Sequence, residues 1–256
     1  GVSSAASDVY KRQSYVMVYS VVVFQISMIA FHQVLWLVRK DLALHLRSKN
    51  VLALVFIFSL LVVLVFNFAF GPTPLPPEDQ GRLTASVLWT AFSFAGIITL
   101  TRSIEIDRAY GGLDAVRLTG TDPSLIYLSK VVSNVIWLTL IQVVITPVAL
   151  LFLAALDQVS WLSLLKLIAV LAMGTIGFCA VGVILATMSA RAGGESLLTV
   201  ILFPLIFPVI MAGAKCTVSI LTTSAFGNRF WISLLVTYSL VFLSSSYLLF
   251  EFVIEG

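Results

Sequence analysis

Long apolar runs recur along this chain, and no other feature restricts its fold so strongly. They cover about Val51–Phe70, Ala85–Leu100, Ile126–Leu153, Trp161–Met188, Leu197–Ala214 and Phe230–Phe250. A helix of about 20 apolar residues crosses a bilayer core. With 60% hydrophobic residues, 11% charged and a mean hydropathy of +1.08, a soluble domain of 256 residues could not hide its apolar surface. Strand-type alternation over about ten residues, the mark of an outer-membrane barrel, is missing. The expected fold is an all-α integral membrane domain of six transmembrane helices, preceded by an amphipathic interfacial helix.

That interfacial helix is expected over Phe31–Asn50. There Val34, Leu35, Leu37, Val38, Leu42, Leu44 and Leu46 recur at helical spacing among Arg39, Lys40, Asp41, Arg47 and Lys49. Upstream, Ser3–Gln13 back-translates cleanly to a sequencing-library adaptor, so residues 1–13 are expected not to be native. Residues 14–27 are an unassigned upstream segment, either an apolar N-terminal stretch or translated upstream DNA. Met28 is the expected start, with Met17 as its rival, and 28–256 forms one domain. The apolar run has no small-residue cleavage site before the basic segment, which disfavours a signal peptide. "GPTPLPPEDQGR" is expected to be an exposed loop between the first two spans.

Orientation follows the Lys and Arg of short loops. With the N-terminus inside, Arg39, Lys40, Arg47, Lys49, Arg102, Arg108, Arg117, Lys130 and Arg191 share one face, against Arg82, Lys166, Lys215 and Arg229 on the other. Both termini and the segment Glu105–Lys130 are therefore expected on the cytoplasmic side. The pI near 9.0 records this bias and does not call for nucleic acid.

Chemistry has little to work with. His32 and His45 lie in or beside the interfacial helix, where an ordinary interfacial role is expected. Cys179 and Cys216 read as small packing residues, the first inside a span and the second near a span end. No acidic residue lies mid-span to relay protons. No Gly-x-x-x-x-Gly-Lys-Ser/Thr string occurs, so the chain cannot hydrolyse ATP by that route alone. "AGGES" (Ala192–Ser196) reads as a tight turn. Lys166, near a span end, is expected to snorkel. Asn67, Ser93, Thr99, Asn134, Gln142 and Thr175 are expected to hydrogen-bond between helices. Pro147, Pro204 and Pro208 weaken theirs, and a bend at Pro204 and Pro208 is the sharper expectation for the fifth span. No catalytic, cofactor-binding or metal-binding residue is assigned.

The exception to this oiliness is "EIDRAYGGLDAVRLTGTDPSLIYLSK" (Glu105–Lys130). Glu105, Asp107 and Arg108 precede a glycine break. "LDAVRLTG" can form a short helix with Leu113, Val116 and Leu118 as apolar contacts and Asp114 and Arg117 as polar ones. Thr121 or Asp122 can cap the next helix, with Pro123 at its first position. A short helix outside the bilayer, bounded by breaks and followed directly by a span, suits docking in a partner's groove; a solvated loop is the alternative.

Glu105, Asp107, Arg108 and "GGLDAVRLTGTDPSLIYLSK" resemble the cytoplasmic segment of the CcmB family, haem exporter protein B. Gly111, Leu113, Asp114, Ile126 and Lys130 fall on the family's pattern; Asp114 stands where Glu is usual and Gly120 where proline is common. "RAGGESLLTVILFPLIFPVIMAG" (Arg191–Gly213), "LWLVRKDLALHLRSKN" (Leu35–Asn50) and the ending "LLFEFVIEG" are similar to further family segments. The resemblance spans Met28–Gly256. It implies an ABC-2-like permease subunit in cytochrome c biogenesis, serving haem export or release of haem-loaded chaperone. It implies as partners a separate ABC ATP-binding subunit, a tryptophan-rich haem-handling membrane protein, a haem chaperone and membrane lipid. ATP would be bound by the partner and haem handled by the complex, with no cofactor held directly here. The docking segment would be Glu105, Asp107, Arg108, Gly111, Leu113, Asp114 and Arg117. An ABC-2-type exporter for another substrate, and a non-transport membrane scaffold, remain the competing readings.

Overall fold

In a computed structural model the chain is a bundle of helices; no strand occurs among the described residues. Residues 1–27, 29, 48, 72–74, 110–117, 119, 157–158, 193–194 and 256 lie outside the description, as do the side chains of 49–51, 104, 106–109, 190–199 and 255. The expected adaptor-derived and upstream segments and the "AGGES" turn thus fall wholly or largely outside it. Helix α1 occupies 30–47. It is followed by α2 (Lys49–Phe70), α3 (Pro77–Ala109), α4 (Pro123–Phe152), α5 (Trp161–Ala192), α6 (Glu195–Thr223) and α7 (Arg229–Glu255). Helices α2 to α7 are each long and apolar enough to span a membrane.

Three boundaries differ from the sequence expectation. Pro77 to Arg82, expected as loop, form the first turns of α3. The signal was present: a proline opens the helix, and Glu78 and Asp79 favour its positive N-terminal dipole. At its other end α3 runs through Ala109, so Glu105, Asp107 and Arg108 extend the second span as helix. Helix α6 continues to Thr223, which carries Lys215 and Cys216 inside it; Cys216 is fully buried, with Gly227 of the following loop close to its backbone. The same helix runs through Pro204 and Pro208 without interruption.

Helices α3 and α5 form the enclosed centre, while α2 and α7 are mostly exposed. The exposed residues of α2 include Leu54, Ile57, Leu61, Val65 and Phe68, an apolar stripe at helical spacing. Outward-facing oil of this extent is what a lipid solvent demands. Inside, packing replaces the hydrophobic drive that lipid cannot supply between helices. Trp89 of α3 lies against Gly174 of α5 and Gly213 of α6; a Cβ at either glycine would sit 2.3 Å or 2.1 Å from the indole ring. The Trp89 Nε1–H donates to Thr217 Oγ1 at 3.0 Å.

At the end of the bundle away from α1, polar side chains tie helix termini. Asn67 donates to the Phe152 carbonyl, and Gln80 to those of Leu153 and Ala154 at 2.8 and 2.7 Å. Lys166 reaches the Ser224 carbonyl at 2.6 Å and lies over the Phe226 ring. Within the bundle, Gln142 of α4 and Thr175 of α5 bond each other at 3.1 Å. Other polar positions expected to bridge helices turn back on their own: Ser93 donates to the Trp89 carbonyl and Asn134 to that of Lys130.

Candidate coupling segment and the junction beneath it

Of the residues placed in the docking segment, Glu105 has a described side chain, and Arg102 one turn earlier donates to it. Asp107 and Arg108 lie on the same helix with their side chains outside the description. Gly111, Leu113, Asp114 and Arg117 fall outside it altogether. Leu118 is 90% exposed, an apolar side chain held away from the bundle. Gly120 has φ +68°, with open space around its missing Cβ. Glycine takes this left-handed conformation without strain, and proline could not take it.

The segment ends in a well-defined start for α4. Asp122 caps the helix, its carboxylate accepting from the Ser124 N–H at 2.8 Å, and Pro123 follows at the first position, as the sequence led us to expect. The first two turns of α4 are then built into three neighbours. Tyr127, fully buried, donates from its hydroxyl to the Ala180 carbonyl of α5 at 2.9 Å and packs on Phe250 of α7. The Ser124 hydroxyl points to the Tyr247 carbonyl at 3.4 Å. Lys130 Nζ lies 3.7 Å from Asp41 Oδ2 of α1, both side chains 7% exposed. One helical turn further along α1 and two along α4, His45 stacks on Trp137, ring centroids 5.1 Å apart.

Sequence reasoning misplaced His45, which is buried and not an ordinary interfacial residue, and it counted Lys130 only toward orientation, without its burial against Asp41. Helix α1 turns Val38, Asp41 and His45 inward, while both apolar residues (Phe31, Leu35, Trp36 and Leu46) and basic ones (Arg39 and Arg47) stay exposed. Two of its polar side chains thus meet the bundle, where Asp41 finds a counter-ion and His45 an aromatic ring. The pattern was visible in Asp41 and His45 four residues apart, and in Lys130, Asn134 and Trp137 at helical spacing on an otherwise apolar helix.

Neither histidine is set up for metal. His32, exposed, has its Nδ1 3.0 Å from the Met28 carbonyl, and no three His, Cys, Asp or Glu side chains converge among the described residues. What the arrangement can do is mechanical: the start of α4 is gripped at once by α1, α5 and α7, so displacement of the segment feeding it is passed to all three.

Such a fold, six membrane-crossing helices with a helical lead-in and a polar segment joined to the base of one span, defines a multi-pass membrane protein of the permease type. Residues 32–252 match the model of the CcmB protein family, and the chain belongs to that family. It is similar to "Heme exporter protein B" of Bradyrhizobium diazoefficiens, 30% identical over 208 residues, covering 80% of this chain and 89% of the relative. It is also similar to the protein of that name from Haemophilus influenzae, 28% identical over 176 residues, covering 68% and 76%.

Proposed function

We propose that this chain is the membrane permease subunit of an ABC-type complex in cytochrome c biogenesis, acting in haem export or in release of haem-loaded chaperone. A separate ATP-binding subunit supplies the energy by docking on the segment 105–130. The observation that carries this reading is the family match over 32–252, which includes the whole segment. The grip of α1, α5 and α7 on the base of α4 gives that segment a mechanical route into the bundle. The exposed Leu118 supports a docking role, because a partner's groove would cover it.

In this reading Glu105, Asp107, Arg108, Gly111, Leu113, Asp114 and Arg117 form the docking surface, in the cytoplasm. The protein sits in the bacterial inner membrane with both termini on that side, the side that the Lys and Arg bias supports. ATP is bound by the partner, and haem is handled by the complex, with a tryptophan-rich membrane protein and a haem chaperone as further partners. Pro204 and Pro208 give α6 a place to bend. Nucleotide moves the bundle only through unequal affinity for its two arrangements.

The test is co-purification of the ATP-binding subunit, followed by holo-cytochrome c in a strain lacking this chain. Complementation by the parent, and loss of both ATPase capture and holo-cytochrome c on charge reversal at Asp114 and Arg117, is the expected result. An ATPase retained equally by the reversed variant removes the docking assignment.

A further inference from the structure

We propose that the Asp41–Lys130 ion pair is the joint through which the coupling segment moves α1, and that it parts and re-forms as the ATP-binding partner turns over. This deepens the coupling reading above and rests on it.

A buried ion pair is a poor way to gain stability. Desolvating two charges offsets most of their attraction, and an apolar pair of like volume holds helices together as well; what charges add is one allowed register. Here the pair stands where register matters. Lys130 lies in the second turn of α4, whose first turn closes the segment. Asp41 sits on α1, which has no covalent link to that segment nearer than α2 and α3.

Two details make the joint reversible. First, Asp41 is shared: Oδ1 lies 3.1 Å from Lys40 Nζ, while Oδ2 faces Lys130 at 3.7 Å. Lys40 belongs to α1 and travels with it, so the carboxylate keeps a cation when α1 and α4 separate. Second, Asn134 Oδ1 and Trp137 Nε1 are buried without a protein hydrogen-bond partner. They follow Lys130 by four and seven residues, spacing that puts them on the face of α4 where Lys130 and Trp137 meet α1. Buried polar atoms without partners raise the energy of an arrangement, and opening this face would let water reach both. The closed state is thus favoured by the ion pair and the His45–Trp137 stack and opposed by two unsatisfied atoms. Such a near-balanced contact is what a modest push can switch.

The experiment uses the complex with its ATP-binding partner in lipid nanodiscs. Asn134→Cys is labelled with a water-soluble maleimide, first without nucleotide and then trapped with ATP and vanadate. Native Cys179 and Cys216 are fully buried and set a low background. Labelling rates that differ at least about five-fold between the two states are expected, the lower end of allosteric couplings. Equal rates with a bound, hydrolysing partner overturn the proposal and leave the coupling reading standing. If the unmodified chain captures no ATP-binding partner, the coupling reading falls and the joint with it. A second variant, D41L/K130M, replaces the charges by an apolar pair. It is expected to assemble, to bind the ATPase and to resist heat like the parent, yet to yield holo-cytochrome c at under about a tenth of the parental level, a loss on the scale of known couplings. Parental holo-cytochrome c from this variant also overturns the proposal.

Discussion

Two buried tryptophans divide this molecule. Trp89 and Trp137 are 1% and 3% exposed and sit on neighbouring long helices. Trp89 is pinned: two glycines clear its space, and Thr217 accepts its N–H. Trp137 is merely stacked, on a histidine from another element, and its N–H has no protein partner. The first ties α3, α5 and α6 into one block; the second marks a contact that can be remade. Enclosure is greatest in two helices of that block, with 72% and 67% of the apolar windows of α3 and α5 buried, against 44% for α4 and 39% for α6. A permease needs both: helices that move as a body, and a place where another helix can shift against them.

The comparison breaks most visibly at Trp89. Trp89→Ala empties space shared by three helices and is expected to cost about 3–5 kcal/mol, the range for large aromatic truncations in cores. Thermal unfolding in detergent measures it. Gly213→Ala places a methyl 2.1 Å from the indole and forces the ring aside. About 1–3 kcal/mol is expected from overpacking, seen in the same assay. A silent Gly213→Ala would mean that the block is not tightly packed.

A matched pair of conservative changes sharpens the contrast. Trp89→Phe removes the donor to Thr217 and leaves a buried hydroxyl without it, expected to cost about 1–3 kcal/mol. Trp137→Phe keeps an aromatic ring against His45 and deletes an N–H that lacks a partner. It is expected to be within about 0.5 kcal/mol of the parent, because no buried hydrogen bond is lost. Equal losses in the two variants would abolish the distinction.

Much of this was legible in the residues. The six spans follow from apolar run length alone, and the cap and proline opening α4 follow from "TDPS". What stayed hidden was where helices end and which way they face. Helix α3 begins eight residues earlier than its apolar run and ends nine later (Pro77 against Ala85, Ala109 against Leu100), because hydropathy reports lipid contact while hydrogen-bond geometry continues into water. Cys216 looked peripheral for the same reason. The Asp41–Lys130 pair was hidden by a counting rule: positive residues near span ends were counted toward orientation, although one of them finds its counter-ion inside. Of the docking residues, sequence placed all seven on one stretch, and the structure adds that three of them extend a membrane helix.

At the far end of the bundle the ties resemble the pinned region more than the joint. Gln80 holds two carbonyls at the C-terminus of α4, groups that would otherwise lack helical partners. Gln80→Leu is expected to cost about 1–2 kcal/mol, near the net worth of such bonds. If instead this end loosens without a change in unfolding, the far end belongs with the movable contacts, and the block is smaller than drawn.

The smallest effect is expected where the pinned helix leaves the bundle, at Glu105. Its pairing with Arg102 lies at the surface, with side chains 30% and 46% exposed. Exposed pairs contribute about 0–1 kcal/mol, because water screens the attraction and fixing two long side chains costs entropy. Glu105→Gln should therefore leave the unfolding temperature almost where it was, and added salt should erase any residue of the difference. That near-silence is useful. A docking contact made by Glu105 would appear as weaker ATPase capture at low salt from a protein of unchanged stability. A large stability loss would mean instead that the end of α3 is held by the bundle and is not free to receive a partner.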